Sequence, residues 1–240
     1  MVSTGVDEMQ RYAGQALVVA VDGPAGSGKS TAARRAAAEL GFRYLDTGAT
    51  YRALTWWLLR QQVDLTQAAA VVARMTEPRI RIGIDPGEPQ VTVDGQDVAG
   101  PIRSREVSNS VSAVAAIPQV RELLIGMQRQ IISDAAADGS GIVAEGRDIG
   151  TVVAPDAAVK VYLTASEEAR AQRRAADLAA DPGATVDTTL REQARRDQRD
   201  AAQMVMAADA VSIDTTGLGL DEVVGEIVAM ARARQAMAHG

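Results

Sequence analysis

Cysteine is absent from the 240-residue chain, and histidine occurs once, as His239. Without cysteine there is no disulfide, no thiolate metal site and no thiol nucleophile. With its one imidazole next to the C-terminal residue, the chain is not expected to use histidine as a general acid, a base or a metal ligand. Aromatic residues are scarce: one Phe, two Trp and four Tyr. That offers little stacking surface for single-stranded nucleic acid, and a net charge of −6 points the same way. No apolar run approaches the ~18 residues of a membrane span. Residues 1–15 lack the apolar stretch of a secretion signal and read as a disordered tail. A soluble, cytoplasmic protein is expected, acting on small molecules as a monomer, without nucleic-acid or membrane partners. Lysine is nearly absent too. Of 25 basic residues, all but Lys29 and Lys160 are arginine. A GC-rich coding bias accounts for most of this, so position must decide which arginines grip phosphate.

The chain is 47% hydrophobic, enough to bury a sizeable core as one domain or one domain with an insert. Leu17 to Val21 is a Val-rich apolar run that reads as a buried parallel strand. Asp22 to Ser27 is loop, and Ser30 to Leu40 is helix, stopped by Gly41. A short strand at Arg43 to Leu45 and helices at Thr50 to Gln61 and Thr66 to Met75 follow. The pattern then alternates at Arg79 to Ile84 and Gln90 to Val93, and Asp94-Gly95 marks a hairpin. This antiparallel patch inside an α/β chain predicts an inserted subdomain over 77–113. Beyond it come a helix from Pro118 to Asp134, strands at Gly141 to Ala144 and Ala158 to Leu163, and a helix from Ser166. A break at Asp181 to Gly183 precedes a helix from Thr188 to about Gln203. A strand at Ala210 to Ile213 and a helix at Leu220 to Met237 end the chain. Strands alternating with helices predict a parallel sheet covered on both faces. Trp56 and Trp57, adjacent on a helix, must point in different directions; one is expected in the core and the other partly exposed. Lys160 reads as a solvated strand end.

Gly23-Pro24-Ala25-Gly26-Ser27-Gly28-Lys29-Ser30 fits the pattern G-x-x-x-x-G-K-[ST]. Glycines let successive main-chain amides turn inward toward phosphate oxygens, and the following helix offers its positive end to the same anion. Lys29 would reach the β- and γ-phosphates, and the Ser30 hydroxyl would ligate Mg2+. The preceding apolar strand and the following helix are the context that such a loop requires. The loop by itself indicates nucleoside triphosphate binding and nothing narrower.

A small-acceptor kinase fits the rest. The chain is too short for a motor or a transporter module, and no Asn-Lys-x-Asp guanine-recognition motif occurs. A phosphate acceptor is already anionic near neutral pH, so no general base is needed. What the reaction needs is positive charge around two mutually repelling phosphates in a dry site. Arg52 and Arg147 both follow strands, at the carboxyl edge where open parallel sheets bind ligands. Taken singly, each would more often be a surface salt bridge; their convergence on one edge singles them out.

The segments VDGPAGSGKST, YLDTGATYR, GQDVAGPIRSREV, VSAVAAIPQVR and VAEGRDIGTVVAPDAAVKVYLTAS resemble, in order and spacing, the bacterial cytidylate kinase family. The likeness covers about residues 17 to 235, and the DTGATYR and EGRDIGTVV motifs carry it more specifically than the phosphate loop. It implies a three-layer nucleoside monophosphate kinase fold: a five-stranded parallel sheet with helices on both faces, a small antiparallel insert and a lid. The core would be 16–76 and 114–240, with the lid at about 173–190 and the monophosphate-binding insert at 77–113. It implies ATP held by Gly23 to Thr31 (Gly23, Pro24, Ala25, Gly26, Ser27, Gly28, Lys29, Ser30 and Thr31), with Mg2+ as cofactor, and CMP or dCMP as acceptor. Lys29, Arg52 and Arg147 would hold the acceptor phosphate, bordered by Asp46 and Thr47. Ser112, Arg121 and Asp148 would read the cytosine, since a carboxylate accepts from the N4 amino group. Arg196 and Asp200 would contact the sugar. Lys29, Arg147 and Asp148 form the implied catalytic set. Arg173 and Arg174 resemble lid arginines, although a solvated helix face is the commoner reading of both. One departure stands out. After the aspartate the family usually carries an arginine and then Ser-Pro-Leu, where this chain has Ala201 to Met206; a sugar- or base-side contact is expected to be missing or replaced. Other acceptors on a related scaffold (UMP, shikimate, gluconate, dephospho-coenzyme A) form the alternative within kinases. A nucleic-acid-dependent ATPase is the alternative outside them.

Overall fold

The computed structural model describes residues 16–177 and 185–238. The tail at 1–15 and the break at 181–183 lie outside the described residues, as does the middle of the proposed lid. Strand β1 (Val18–Asp22) leads through the phosphate loop into helix α1 (Lys29–Leu40), then β2 (Arg43–Asp46), α2 (Thr47–Arg60) and α3 (Ala68–Arg74). The short strands β3 (Ile80–Ile82), β4 (Val91–Val93) and β5 (Gln96–Asp97) follow. After them come a 3-10 turn Pro101–Arg103, α4 (Arg105–Ala115) and α5 (Pro118–Ala137). Then come β6 (Ile142–Gly146), a π-helical turn Ile149–Val153, β7 (Val159–Thr164), α6 (Glu167–Asp177) and α7 (Val186–Asp200). A 3-10 turn Ala201–Gln203, β8 (Val211–Asp214) and α8 (Leu220–Ala238) complete the order.

The main sheet has five strands in the order β2-β6-β1-β7-β8, and every pairing in it is parallel. Its interior follows from strand geometry, in which successive side chains face opposite sides. Val19 and Val21 of β1 and Val143 of β6 join Ala32, Ala33, Ala36 and Ala37 of α1 and Val224, Ile227 and Ala231 of α8 on one face. Ala20, Ile142 and Ala144 face the other way, onto Ile132 and Ala135 of α5 and Ile149 and Val153. Both faces are therefore apolar, as the Val-rich runs predict. The alanine face of α1 lets that helix lie close against the sheet, which draws the phosphate loop down onto the strand ends. Gly41 (φ 68) stops α1 in the left-handed region.

The second sheet is antiparallel in the order β3-β4-β5. Asp94 (φ 52) and Gly95 (φ 83) both take positive φ between β4 and β5, the geometry that a two-residue Asp-Gly hairpin demands. The Asp94 carboxylate accepts from Trp57 Nε1 at 3.1 Å and from the Arg79 amide at 2.8 Å, tying the sheet to α2. Val91, Val93 and Val98 share a core with Leu54, Trp57 and Leu58 of α2 and with Val114, Val120 and Leu124. Trp57 is buried and Trp56 partly exposed, as adjacent helical positions require.

Several expectations need correcting. Helix α2 starts at Thr47, directly after β2, because the Asp46 side chain accepts from the Ala49 amide at 2.9 Å and caps it. Helix α4, for which the sequence reading named no element, closes the segment read as an inserted subdomain and runs past its boundary at 113; it is started by Ser104 accepting from the Val107 amide. Its apolar Val107, Val111 and Val114 have helical spacing. Lys160 is not a solvated end: its ammonium donates to both carboxylate oxygens of Asp209, at 2.8 and 2.9 Å. Arg173 is pinned, donating to Thr215 Oγ1 (2.9 Å), to the Thr215 carbonyl (2.5 Å) and to the Ser27 carbonyl (3.4 Å). Arg174 donates to Ser108 Oγ at 3.2 Å. Neither is a solvated face.

Candidate functional site

The registers align the carboxyl ends of three strands: Asp22 of β1 sits beside Gly146 of β6, and Asp46 of β2 beside Glu145. Chain leaving these ends builds one cavity of about 680 Å3, within the range of small-molecule sites. Its walls include Ala25, Gly26, Gly28, Lys29, Ser30 and Thr31 of the phosphate loop. They also include Asp46, Thr47, Arg52, Ser112, Arg121, Arg147, Asp148, Arg196 and Asp200. Of the residues that the family likeness assigns to the site, Gly23, Pro24, Ser27 and Arg173 do not line it. Ser27 is fully buried and the Pro24 carbonyl accepts from Lys29 Nζ at 3.3 Å.

The loop is held tightly from behind. At Gly23 (φ 152) an added Cβ would come 2.3 Å from the Leu163 carbonyl oxygen. At Gly26 (φ 79) it would come 2.8 Å from both the Arg170 carbonyl oxygen and Gln193 Nε2. Only glycine satisfies both the conformation and the space. Arg170, itself buried, donates to the Ala25 carbonyl at 3.2 Å and to Asp197 Oδ2 at 2.6 Å. Helices α6 and α7 thus brace the tip of the loop.

Two buried carboxylates at strand ends organise the floor. Glu145 accepts from Ser30 Oγ at 2.6 Å and from Tyr44 Oη at 3.4 Å, and lies 4.0 Å from Lys29 Nζ. Burial pushes the Glu145 carboxyl up and the Lys29 ammonium down, while their mutual attraction opposes both shifts. Asp22 accepts from the amides of Ile149 and Gly150, each at 2.8 Å. It thereby fixes the turn that carries Arg147 and Asp148. Burial raises Asp22 to about 6 despite those bonds.

Across the cavity, guanidinium groups gather. Arg147 Nη2 lies 3.1 Å from Asp200 Oδ2, and Arg196 Nε lies 3.5 Å from the same oxygen. Arg52 donates to Ser108 Oγ at 2.9 Å, the hydroxyl that Arg174 also reaches, and to the Ile102 carbonyl. Arg103 pairs with Asp46 at 3.1 Å. Burial, together with Arg52, Arg147 and Arg174 nearby, lowers Arg196 to about 9; burial and neighbouring arginines lower Arg52 to about 10. Cations that repel one another in this way are stabilised by an anion placed among them. At another wall Arg121 Nη2 donates to Asp148 Oδ2. Tyr51 lines the cavity within the electrostatic reach of both and is pushed up to about 12, mainly by burial. In the segment that departs from the family pattern, Met204 Sδ lies 3.2 Å from Arg147 Nη1. Gln203 lines the cavity while its amide donates to the Ala115 carbonyl.

Sequence reasoning passed over Asp22, Glu145, Tyr51, Arg103, Arg170 and Gln203. For Asp22 and Glu145 the signal was present: each is a carboxylate ending an apolar run that reads as a buried strand. Arg103 and Arg170 carry no local signal, because their partners are distant in sequence.

No helix among the described residues is long and apolar enough to cross a membrane. The family model described as cytidylate kinase matches residues 19–233. A cytidylate kinase of Streptomyces avermitilis is 46% identical over 222 residues, covering 92% of this chain and 95% of the relative. That of Streptomyces coelicolor is 48% identical over 222 residues, with 92% and 95% covered. That of Nocardia farcinica is 49% identical over 216 residues, with 88% and 91% covered. With its phosphate loop, its EGRD turn and nearly its whole length inside that match, the chain belongs to the cytidylate kinase family.

Proposed function

We propose that the chain transfers the γ-phosphoryl group of ATP to CMP or dCMP, giving ADP and CDP or dCDP. The observation that carries this reading is the placement of the phosphate loop and the Arg52, Arg147, Arg174 and Arg196 guanidiniums around one cavity, with the Arg121–Asp148 pair at its wall. An acceptor phosphate oxygen attacks the γ-phosphorus, and the bond to the bridging oxygen of the departing ADP breaks. No proton has to leave a neutral nucleophile, so the step needs no general base. Lys29 and the guanidiniums screen the two phosphates as they approach and hold the charge that spreads over the transferring group. Arg52, Arg147 and Lys29 are assigned to the acceptor phosphate, and Arg196 and Asp200 to the sugar. Asp46 and Thr47 border the acceptor, and Ser112 adjoins the base.

Asp148 is assigned to the cytosine amino group. Its Oδ2 is engaged by Arg121, and Oδ1 has no partner among the described residues. An acceptor facing the uracil carbonyl would be repelled, so a preference for cytosine follows. The donor set also fits Mg2+. Among the described residues no group of three or more acidic, His or Cys side chains could cage a cation alone. Mg2+ typically takes one or two protein oxygens together with substrate phosphates. Ser30 Oγ, oriented by its bond to Glu145, would supply a protein oxygen, and the bound ion would neutralise charge between the β- and γ-phosphates. A monomer acting in the cytoplasm is taken as the catalytic unit, with the insert at 77–113 closing over the acceptor.

A coupled ADP-release assay with ATP and Mg2+ against CMP, dCMP, UMP, AMP and dTMP tests the reading. CMP and dCMP should give the highest kcat/KM. If AMP or dTMP were turned over best, the base assignment would be lost.

A further inference from the structure

Next to the main cavity lies a second one of about 250 Å3, between α4 and α7. Among the described residues it is lined by Arg105, Arg174, Arg195, Arg196 and Arg199, with Glu192 as the one carboxylate. Glu192 is committed to Arg105, at 2.6 Å. Arg195 and Arg199 have no ion pair among the described residues. A second and independent feature lies on the same wall. Thr189 (2% exposed) and Gln193 (6% exposed) face this cavity, and Thr189 Oγ1 and Gln193 Oε1 have no hydrogen-bond partner among the described residues. Buried polar atoms of this kind are rarely left unpaired in a native protein.

We propose that this cavity is a second anion site, for a small phosphate-bearing molecule held between α4 and α7. The Arg195 and Arg199 guanidiniums supply bidentate donors for phosphate oxygens. The Thr189 hydroxyl can donate to such an oxygen, and Gln193 Oε1 takes a hydroxyl or N–H donor on the same ligand. The volume sets the class. It falls below the ~300–1,000 Å3 typical of drug-sized ligands, so it suits inorganic phosphate or a phosphomonoester of a few carbons. The site adjoins the transfer site, since Ala25, Ser112, Arg174 and Arg196 line both cavities. Arg105, Arg199 and Thr189 line only the second and have no assigned part in phosphoryl transfer. An anion there would bridge α4 and α7 across the Arg105–Glu192 pair.

Titration calorimetry at fixed ionic strength tests this, with inorganic phosphate and glycerol phosphate as probes. The phosphate loop also binds phosphate, so each titration is run on the free protein and again with Mg2+, a non-hydrolysable ATP analogue and CMP at saturation. Phosphate binding should persist under saturation, and it should weaken at least tenfold in the Arg105→Gln/Arg199→Gln double variant. The KM for CMP should stay within about twofold, and Lys29→Ala should leave this binding intact. Thr189→Val, nearly isosteric, should weaken phosphate binding severalfold and guards against misfolding of the double variant. Complete displacement of phosphate by the nucleotides would overturn the proposal, as would unchanged binding in both sets of variants. A stronger response to glycerol phosphate than to phosphate would identify the organic ligand class. The loss of phosphate binding in the variants does not depend on whether CMP is the preferred acceptor.

Discussion

Lys29 sits with a carbonyl and a carboxylate beside it, in a loop braced by the main chain of β7 and α6. Across the cavity, Arg52, Arg147, Arg174 and Arg196 crowd one another, with Asp200 shared between two of them. The first region is built to be rigid before any ligand arrives. The second holds unbalanced charge, which the arriving acceptor relieves. The difference teaches where binding energy is spent. The loop fixes geometry, while the arginine cluster makes the site more favourable for two phosphates together than the separated charges alone would be.

If that contrast holds, removing the loop's ammonium should do the greatest damage. Lys29→Ala is expected to lower kcat by about 10³-fold or more, as loss of a transferred-phosphoryl contact does. Its circular dichroism should match the parent, because the loop is held mainly by backbone contacts. Arg147→Ala should cost about 10²-fold in kcat/KM, with part of the loss in the acceptor KM. It removes one member of a cluster that retains Arg52 and Arg196. The same coupled assay compares the two, and a larger loss for Arg147→Ala would reverse the assignment of rigid and adaptive halves. Next in size, Asp148→Asn should reduce the preference for CMP over UMP by about tenfold, the worth of a misplaced buried polar contact. It should do so with little effect on the ATP KM. An unchanged CMP/UMP ratio would take Asp148 out of base recognition.

The two regions also differed in how far they could be read from sequence. The phosphate loop is contiguous, and each of its requirements (glycine conformations, a preceding buried strand, a following helix) is local. Its position and neighbours could therefore be written down directly. The parallel sheet was legible for the same reason: runs such as Leu17 to Val21 need helices on both faces. The antiparallel hairpin announced itself through Asp94-Gly95. The arginine cluster is assembled from α2, the turn after β6, α6 and α7. No local pattern tells Arg196 from Arg195 or Arg199, and the family likeness supplied what periodicity could not. Helix α4 was missed although Val107, Val111 and Val114 mark its buried face, because the neighbouring alternation drew attention to strands. Arg173 was misread because its partners, Thr215 and Ser27, are distant in sequence.

The smallest effect concerns the carboxylate that joins the two halves. Asp22 leaves β1 just before the phosphate loop, yet its bonds go to Ile149 and Gly150, beside the Arg147–Asp148 pair. Burial raises it from 3.8 to about 6. The folded chain therefore binds that proton more tightly than the unfolded chain does. This group's contribution to stability is fully present below 3.8 and is lost as the pH rises through about 6. Activity should run the other way. Only the ionised carboxylate offers acceptors to both amides, so kcat should fall as the pH drops through about 6. A phosphomonoester acceptor also takes up a proton near ~6, and this would lower the rate in any variant. The two protonations together should give the parent an acid limb with a slope of about two in a logarithmic plot of kcat against pH. Asp22→Asn should lower the plateau only severalfold and leave a slope of about one, from the acceptor alone. Equal slopes in parent and variant would mean that Asp22 acts as structural filling, without coupling the loop to the arginine wall.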